Sequence, residues 1–165
     1  MLFRLNIGIF VLCNFVFLRA NSQENNDNNV FLGEIINDYV KVKYPNEFFK
    51  DYIYIGINRQ KLYYFSKGRL KDIFVVSTSK NGAGNNSSSN QTPVGLHFIK
   101  EKIGADAPTG TLFKNKKNTG KIVEIHKDIL AESKDEITSR ILSLYGKEEG
   151  VNKGKKIDTF SRGIY

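Results

Sequence analysis

The chain has 165 residues, of which 40% are hydrophobic, 25% charged and 12% aromatic; this fits one domain of ordinary size and argues against two domains and against a wholly disordered chain. Lysine and arginine outnumber aspartate and glutamate 25 to 17, for a formal charge of +8, so nucleic acid, anionic lipid and acidic cell-wall polymers all stay open as partners. The single cysteine, Cys13, excludes an internal disulfide framework and any cluster of thiolate metal ligands.

Arg4 precedes an apolar run from Leu5 to Leu18, and Ala20-Asn21-Ser22 then supplies the small residues that a signal peptidase reads. The expectation is a signal peptide over residues 1–22, cleaved after Ser22. The run is shorter than the roughly 20 residues that span a bilayer, and it carries Asn6 and Asn14, which argues against a permanent anchor. Its removal takes away Arg4 and Arg19 and no acid, leaving +6 and no cysteine. In an exported protein such charge points to envelope polymers before nucleic acid, against the plainer reading of a solvated basic surface.

Gln23 to Asn29 is polar with nothing to bury, and is expected to be a flexible spacer. From Val30 to Val42 the series Phe31, Ile35, Tyr39 and Leu32, Ile36, Val40 recur at spacing four, which predicts an amphipathic helix capped by Asn29 and stopped by Pro45. Residues 23–50 thus form a spacer and helix ahead of a domain over 51–165. Tyr52 to Ile57, Leu62 to Phe65 and Ile73 to Val76, separated by short polar turns, predict a β-meander.

Asn81 to Asn90 is dense in turn formers and is expected to be a mobile surface loop. Thr92-Pro93-Val94-Gly95 then leads stiffly into a strand over Leu96 to Ile99, because proline fixes φ and holds the preceding residue extended. Gly104 to Gly120 reads as a second irregular stretch with a basic group at Lys114, Lys116 and Lys117. Ser133-Lys134-Asp135-Glu136 matches a capping box, predicting a helix from about Lys134 to Tyr145. The tail from Glu148 is rich in Gly and Lys before turning toward strand character at Ile164 and Tyr165. The coarse pattern is α+β, mainly β.

The residues name no chemistry by themselves. His97 on its strand and His126 in an unassigned segment read as structural or exposed, and no serine has the flanking glycines of a nucleophile elbow. His-x-x-x-His, Cys-pair and calcium-loop patterns are absent, as are the dinucleotide and phosphate-loop glycine signatures. The expectation is therefore no metal and no cofactor. Phe113 is the one stacking residue within the basic group, so nucleic acid is not expected as a partner.

An ordered series of segments carries more. Tyr54-Ile55-Gly56-Ile57-Asn58-Arg59-Gln60-Lys61-Leu62-Tyr63, Val75-Val76-Ser77-Thr78-Ser79 and Thr92-Pro93-Val94-Gly95-Leu96-His97-Phe98-Ile99 resemble the first half of a YkuD-type L,D-transpeptidase catalytic domain. Pro108 to Phe113, Ile137 to Leu142 and Ile157 to Tyr165 resemble it further, in the same order. The resemblance implies a mainly β, sandwich-like domain of the bacterial envelope acting on peptidoglycan stem peptides. In such enzymes a cysteine thiolate attacks a stem-peptide carbonyl, expels the terminal D-residue and forms a thioester that a second stem's amine attacks. That chemistry requires a histidine to activate the thiol and backbone donors to hold the oxyanion.

Members of the family continue past the Ile-Tyr strand into His-Gly-Thr and Ser-His-Gly-Cys motifs, and this sequence reaches Tyr165 before either. The expectation is an exported, periplasmic or envelope L,D-transpeptidase represented by a fragment with no catalytic residue of its own, inactive as it stands. His97 and Arg140 are the candidate substrate-binding residues. The alternative is a non-catalytic basic module that holds peptidoglycan or other acidic wall polymers.

Overall fold

A computed structural model describes residues 7–12, 24–124 and 136–165. Its elements are β1 (Ile7–Leu12), α1 (Glu24–Lys43), β2 (Asp51–Gly56), β3 (Lys61–Ser66), β4 (Arg69–Val75), β5 (Gly95–Ile103), β6 (Thr111–Lys114), β7 (Lys117–Ile122), β8 (Ile137–Thr138) and β9 (Ile141–Gly146). The described chain is mainly β with a single helix. Six strands form one sheet in the order β4-β3-β2-β1-β5-β9, and three form a second in the order β7-β6-β8.

The meander forms as its composition dictates. Alternation along β2 sends Tyr52 and Tyr54 to one face, where they meet Tyr63 and Phe65 of β3, and sends Ile53 and Ile55 to the other. Tyr52 stacks on Phe65 with centroids 4.5 Å apart, and its hydroxyl donates to Asn37 Oδ1 of α1 at 2.6 Å. Lys67 and Gly68, with φ of 49° and 69°, make the tight turn into β4, because that left-handed pair matches the twist of the paired strands.

Both faces of the large sheet are covered. Leu32, Ile36 and Val40 of α1 close one face over Tyr52, Tyr63, Phe65 and Leu96. On the other, Val94, Ile99, Leu144 and Ile164 pack with Ile53, Ile55 and Ile57. β1 lies between β2 and β5, parallel to the first and antiparallel to the second. An apolar segment in that slot satisfies its backbone groups on both sides.

Several expectations are corrected. Gln23 to Asn29 is not a spacer throughout: α1 begins at Glu24 and Asn29 lies inside it, since a nucleated helix extends at small cost per residue. Only one of the two apolar series of α1 is the buried one; Phe31 and Ile35 remain 61% and 46% exposed. The supposed irregular stretch contains the β6–β7 hairpin, turning at Asn115 and Lys116 with φ of 50° and 62°.

The helix expected over 134–145 is replaced by β8 and β9. Part of its capping box, Ser133 to Asp135, lies outside the described residues, as does His126. Ile141 to Gly146 pairs along β5, and Ile141, Ser143 and Leu144 are buried. Ladder pairing and burial outweigh a local capping signal.

Candidate functional site

The Thr92–Gly95 segment delivers the chain into β5, and everything around that entry is polar and interlocked. Pro93 is fully buried. Gly95 has φ of 97°, and a Cβ there would strike the Glu148 carboxylate and the Asn152 amide. Glu148 Oε2 accepts from the Leu96 backbone N–H and from the Tyr44 hydroxyl at 3.2 Å. Burial, with the nearby Glu148 charge added, pushes the Tyr44 phenol up from its ordinary 10.0.

Asn152 is 0% exposed and behaves like a peptide group inserted beside the strand. Its amide donates to Val94 O at 3.1 Å and Leu96 O at 3.0 Å, while Oδ1 accepts from Glu148 N at 2.9 Å. Every polar atom of a buried amide is thus engaged, which is what makes its burial affordable.

His97, one residue further, is also 0% exposed. Its Nδ1 lies 2.9 Å from Gly95 O and its Nε2 3.0 Å from Thr159 Oγ1. A carbonyl can only accept, so Nδ1 carries a proton. The Thr159 hydroxyl has two acceptors within reach, Nε2 of His97 and Asn152 O at 3.1 Å. In the neutral ring its proton goes to Nε2; were the ring protonated, Nε2–H would donate and the hydroxyl would turn to Asn152 O. With no exposed surface, His97 acts on a bound group only indirectly, through the residues packed around it.

Arg140 stands elsewhere. It is exposed and donates from Nη1 to Ala107 O at 2.7 Å and Ser139 O at 2.6 Å. Among the described residues no carboxylate pairs with it. His97 pairs with Gly146 and Ile103 with Ile141, at opposite ends of the β5–β9 ladder. At about 3.3 Å per residue the two candidates are roughly 20 Å apart along the strand, so the fold does not bring them together.

The tail ties this region to the glycine- and asparagine-rich loop. Arg162 donates to Gly84 O at 3.0 Å and Gln91 O at 2.6 Å, and Ser87 N donates to Lys156 O at 2.7 Å. Within the loop, Ser79 Oγ donates to Asn90 O at 2.5 Å and Asn85 Oδ1 accepts from Val94 N at 2.9 Å. The stretch expected to be mobile is therefore pinned at many points. Leu144 N donates to Ile164 O at 2.9 Å, holding the chain end beside β9.

Beside this network lies an aromatic row. Phe98 and Tyr145 have centroids 4.9 Å apart, and Tyr145 and Phe160 6.2 Å. Lys100 Nζ sits 5.2 Å from the Tyr145 centroid and 3.7 Å from that of Phe160, and Lys116 Nζ 4.6 Å from the latter. Among the described residues no group of His, Cys, Asp and Glu converges to hold a metal, and no helix is long and apolar enough to cross a membrane.

Sequence reasoning missed Glu148, Asn152 and Thr159. Thr159 was inside a segment already singled out; Glu148 and Asn152 carry the spacing of four that lets one residue's N–H meet the other's side chain, a cue too common to stand alone.

The two-sheet scaffold carries Thr-Pro-x-Gly at the head of β5 and folds the tail back onto that strand. The family model of the L,D-transpeptidase catalytic domain, YkuD, matches residues 50–165, and the chain belongs to that family. Its members are acyltransferases that act on peptidoglycan stem peptides. Comparison with curated proteins and with solved structures found no match. Within the 165 residues, Cys13 is the one cysteine and lies outside the matched span, and neither His-Gly-Thr nor Ser-His-Gly-Cys occurs.

Proposed function

We propose that this chain is the scaffold portion of an exported L,D-transpeptidase that remodels peptidoglycan, and that its nucleophilic cysteine and activating histidine are supplied by sequence following Tyr165. The observation that carries the reading is the family match over residues 50–165. The His97–Thr159–Asn152 network supports it by tethering the tail that would lead into those motifs. Export through residues 1–22 to the periplasm or envelope fits the substrate, because stem peptides lie outside the cytoplasmic membrane.

Acyl transfer needs a thiolate within reach of the stem carbonyl, a histidine to take the thiol proton and return it to the leaving amine, and donors aimed at the oxyanion. Cys13 lies in the leader and does not meet the first need. The part assigned to residues 50–165 is to position: His97 and Asn152 hold β5 and the tail in register.

The test is to determine the intact mass of the native protein from its source cells and to assay stem-peptide exchange with it and with residues 1–165. A native species heavier than residues 23–165 that exchanges a terminal D-residue, beside an inactive 1–165 chain, is expected. A native mass equal to residues 23–165 with retention on purified peptidoglycan would instead assign the non-catalytic binding module.

A further inference from the structure

Two backbone irregularities far apart in sequence aim two ammonium groups at one ring. In the β5–β9 ladder Ile99 pairs with Leu144 and Glu101 with Ser143, so Lys100 is the extra residue of a bulge. Bulges re-aim the side chain they carry, and this one lays Lys100 over Tyr145 and Phe160. In the other sheet, the β6–β7 turn holds Lys116 at φ of 62°, a conformation unfavourable for a lysine, and brings it over the same Phe160 ring.

The ring distances place the two charges within about 8 Å of each other, no farther than the screening length at physiological salt. One carboxylate answers them: Glu101 pairs with Lys116 at 3.2 Å. Among the described residues no carboxylate pairs with Lys100, and its side chain is exposed. The rings of Phe98, Tyr145 and Phe160 are themselves only partly buried. The result is an accessible aromatic floor with an excess positive charge, built jointly by both sheets and the tail.

We propose that Lys100, Lys116, Tyr145 and Phe160 form a subsite for a carboxylate of the peptidoglycan stem peptide, the lysines binding the anion and the rings covering the adjoining apolar atoms. The proposal rests on the peptidoglycan reading above and adds the chemical group recognised and the residues that recognise it. Aromatic surface beside two ammonium groups favours a carboxylate attached to a chain over a free small anion, because the rings cover the adjoining apolar atoms.

The test is titration of the full chain with a soluble disaccharide-tetrapeptide muropeptide and with the same muropeptide whose carboxylates are converted to amides, at two salt concentrations. The wild type should prefer the free-acid form by about tenfold, the worth of one charge-assisted contact, and lose that preference in added salt. Lys100→Gln with Lys116→Gln should weaken the free-acid complex by about the same factor and leave the amidated complex unchanged. Phe160→Leu should weaken both, and unchanged thermal melts would separate binding from folding.

Equal binding of the free-acid form by the wild type and the lysine variant would overturn the subsite while leaving the peptidoglycan reading intact. Wild-type chain that binds neither muropeptide nor purified peptidoglycan would overturn both. Tighter, lysine-dependent binding of a single-stranded oligonucleotide would overturn the subsite in favour of nucleic acid.

Discussion

Thr159 and His97 are separated by 62 residues in sequence and joined by a buried hydrogen bond of 3.0 Å. It fastens the tail to the first turn of ladder in β5, and the same hydroxyl reaches Asn152 O. Thr159→Val keeps the shape and removes the hydroxyl, and with it the bond to the buried His97 ring, while Asn152 O keeps the Thr159 backbone N–H. The expected loss is about 1–3 kcal/mol, with Thr159→Ser losing less. Urea denaturation of the three proteins measures it, and equal midpoints for Val and wild type would contradict the assignment.

Gly95→Ala should be more damaging than an ordinary surface substitution. The φ of 97° is closed to alanine at about 1–3 kcal/mol, and the added methyl displaces the Glu148 carboxylate from Leu96 N. Gly146→Ala should also destabilise, because its Cβ meets the Asn152 backbone and not a flexible tip. Thermal melts of both variants should fall below that of an exposed control such as Gly150→Ala, whose Cβ meets nothing within 4 Å; Gly150 also has φ of 72°, so its comparison with Gly95→Ala isolates the effect of close packing.

Arg162→Ala should loosen the loop without unfolding the sheet. Two charge-assisted hydrogen bonds to Gly84 O and Gln91 O disappear, each worth about 1.5–3 kcal/mol locally. Amide exchange over residues 82–92 should accelerate by tenfold or more while β2 and β3 stay protected. Uniform acceleration throughout would mean that Arg162 supports the whole domain.

Stability should fall in strong base. Burial raises the phenols of Tyr44, Tyr52 and Tyr63 above their ordinary 10.0 in the folded protein. The unfolded chain releases these protons first, so it binds fewer than the folded chain above pH ~10 and ∂ΔG/∂pH is negative. Their contribution is complete below that pH and is lost as pH rises toward the folded values. Tyr52→Phe should flatten the decline in urea midpoints between about pH 9 and 11; an equal slope would show that Tyr52 titrates normally.

Removal of residues 1–22 should alter association. β1 fills the slot between β2 and β5, so its loss leaves two rows of backbone donors and acceptors without partners. The 23–165 protein should melt lower than the full chain and self-associate unless another strand takes the slot. Sedimentation at several concentrations reads this directly, and a stable monomer of unchanged melting temperature would contradict it.

How much of this was legible before folding depended on the range of the cause. Alternating Tyr and Ile in β2, the Lys67-Gly68 turn and the Pro93-to-Gly95 lead into β5 are local, and their residues name their conformations. The ordered segments from Tyr54 to Tyr165 likewise disclosed the family. The β9 error has the opposite character: Ile141 to Gly146 was written beside a helix-start signal, and only its partner β5 made strand the lower-energy choice.

The site divides in the same way. His97 was visible as a residue, but its burial, its tautomer and its separation from Arg140 follow from the β5–β9 register. The sequence by itself determined the basic charge, the apolar N-terminal run, the meander and the family membership, because those reside in composition and short-range order. Tertiary structure alone decided that Glu148, Asn152 and Thr159 serve β5, and that Lys100 and Lys116 share Phe160. Those relationships exist only once pairing and burial bring distant residues within hydrogen-bond and van der Waals range.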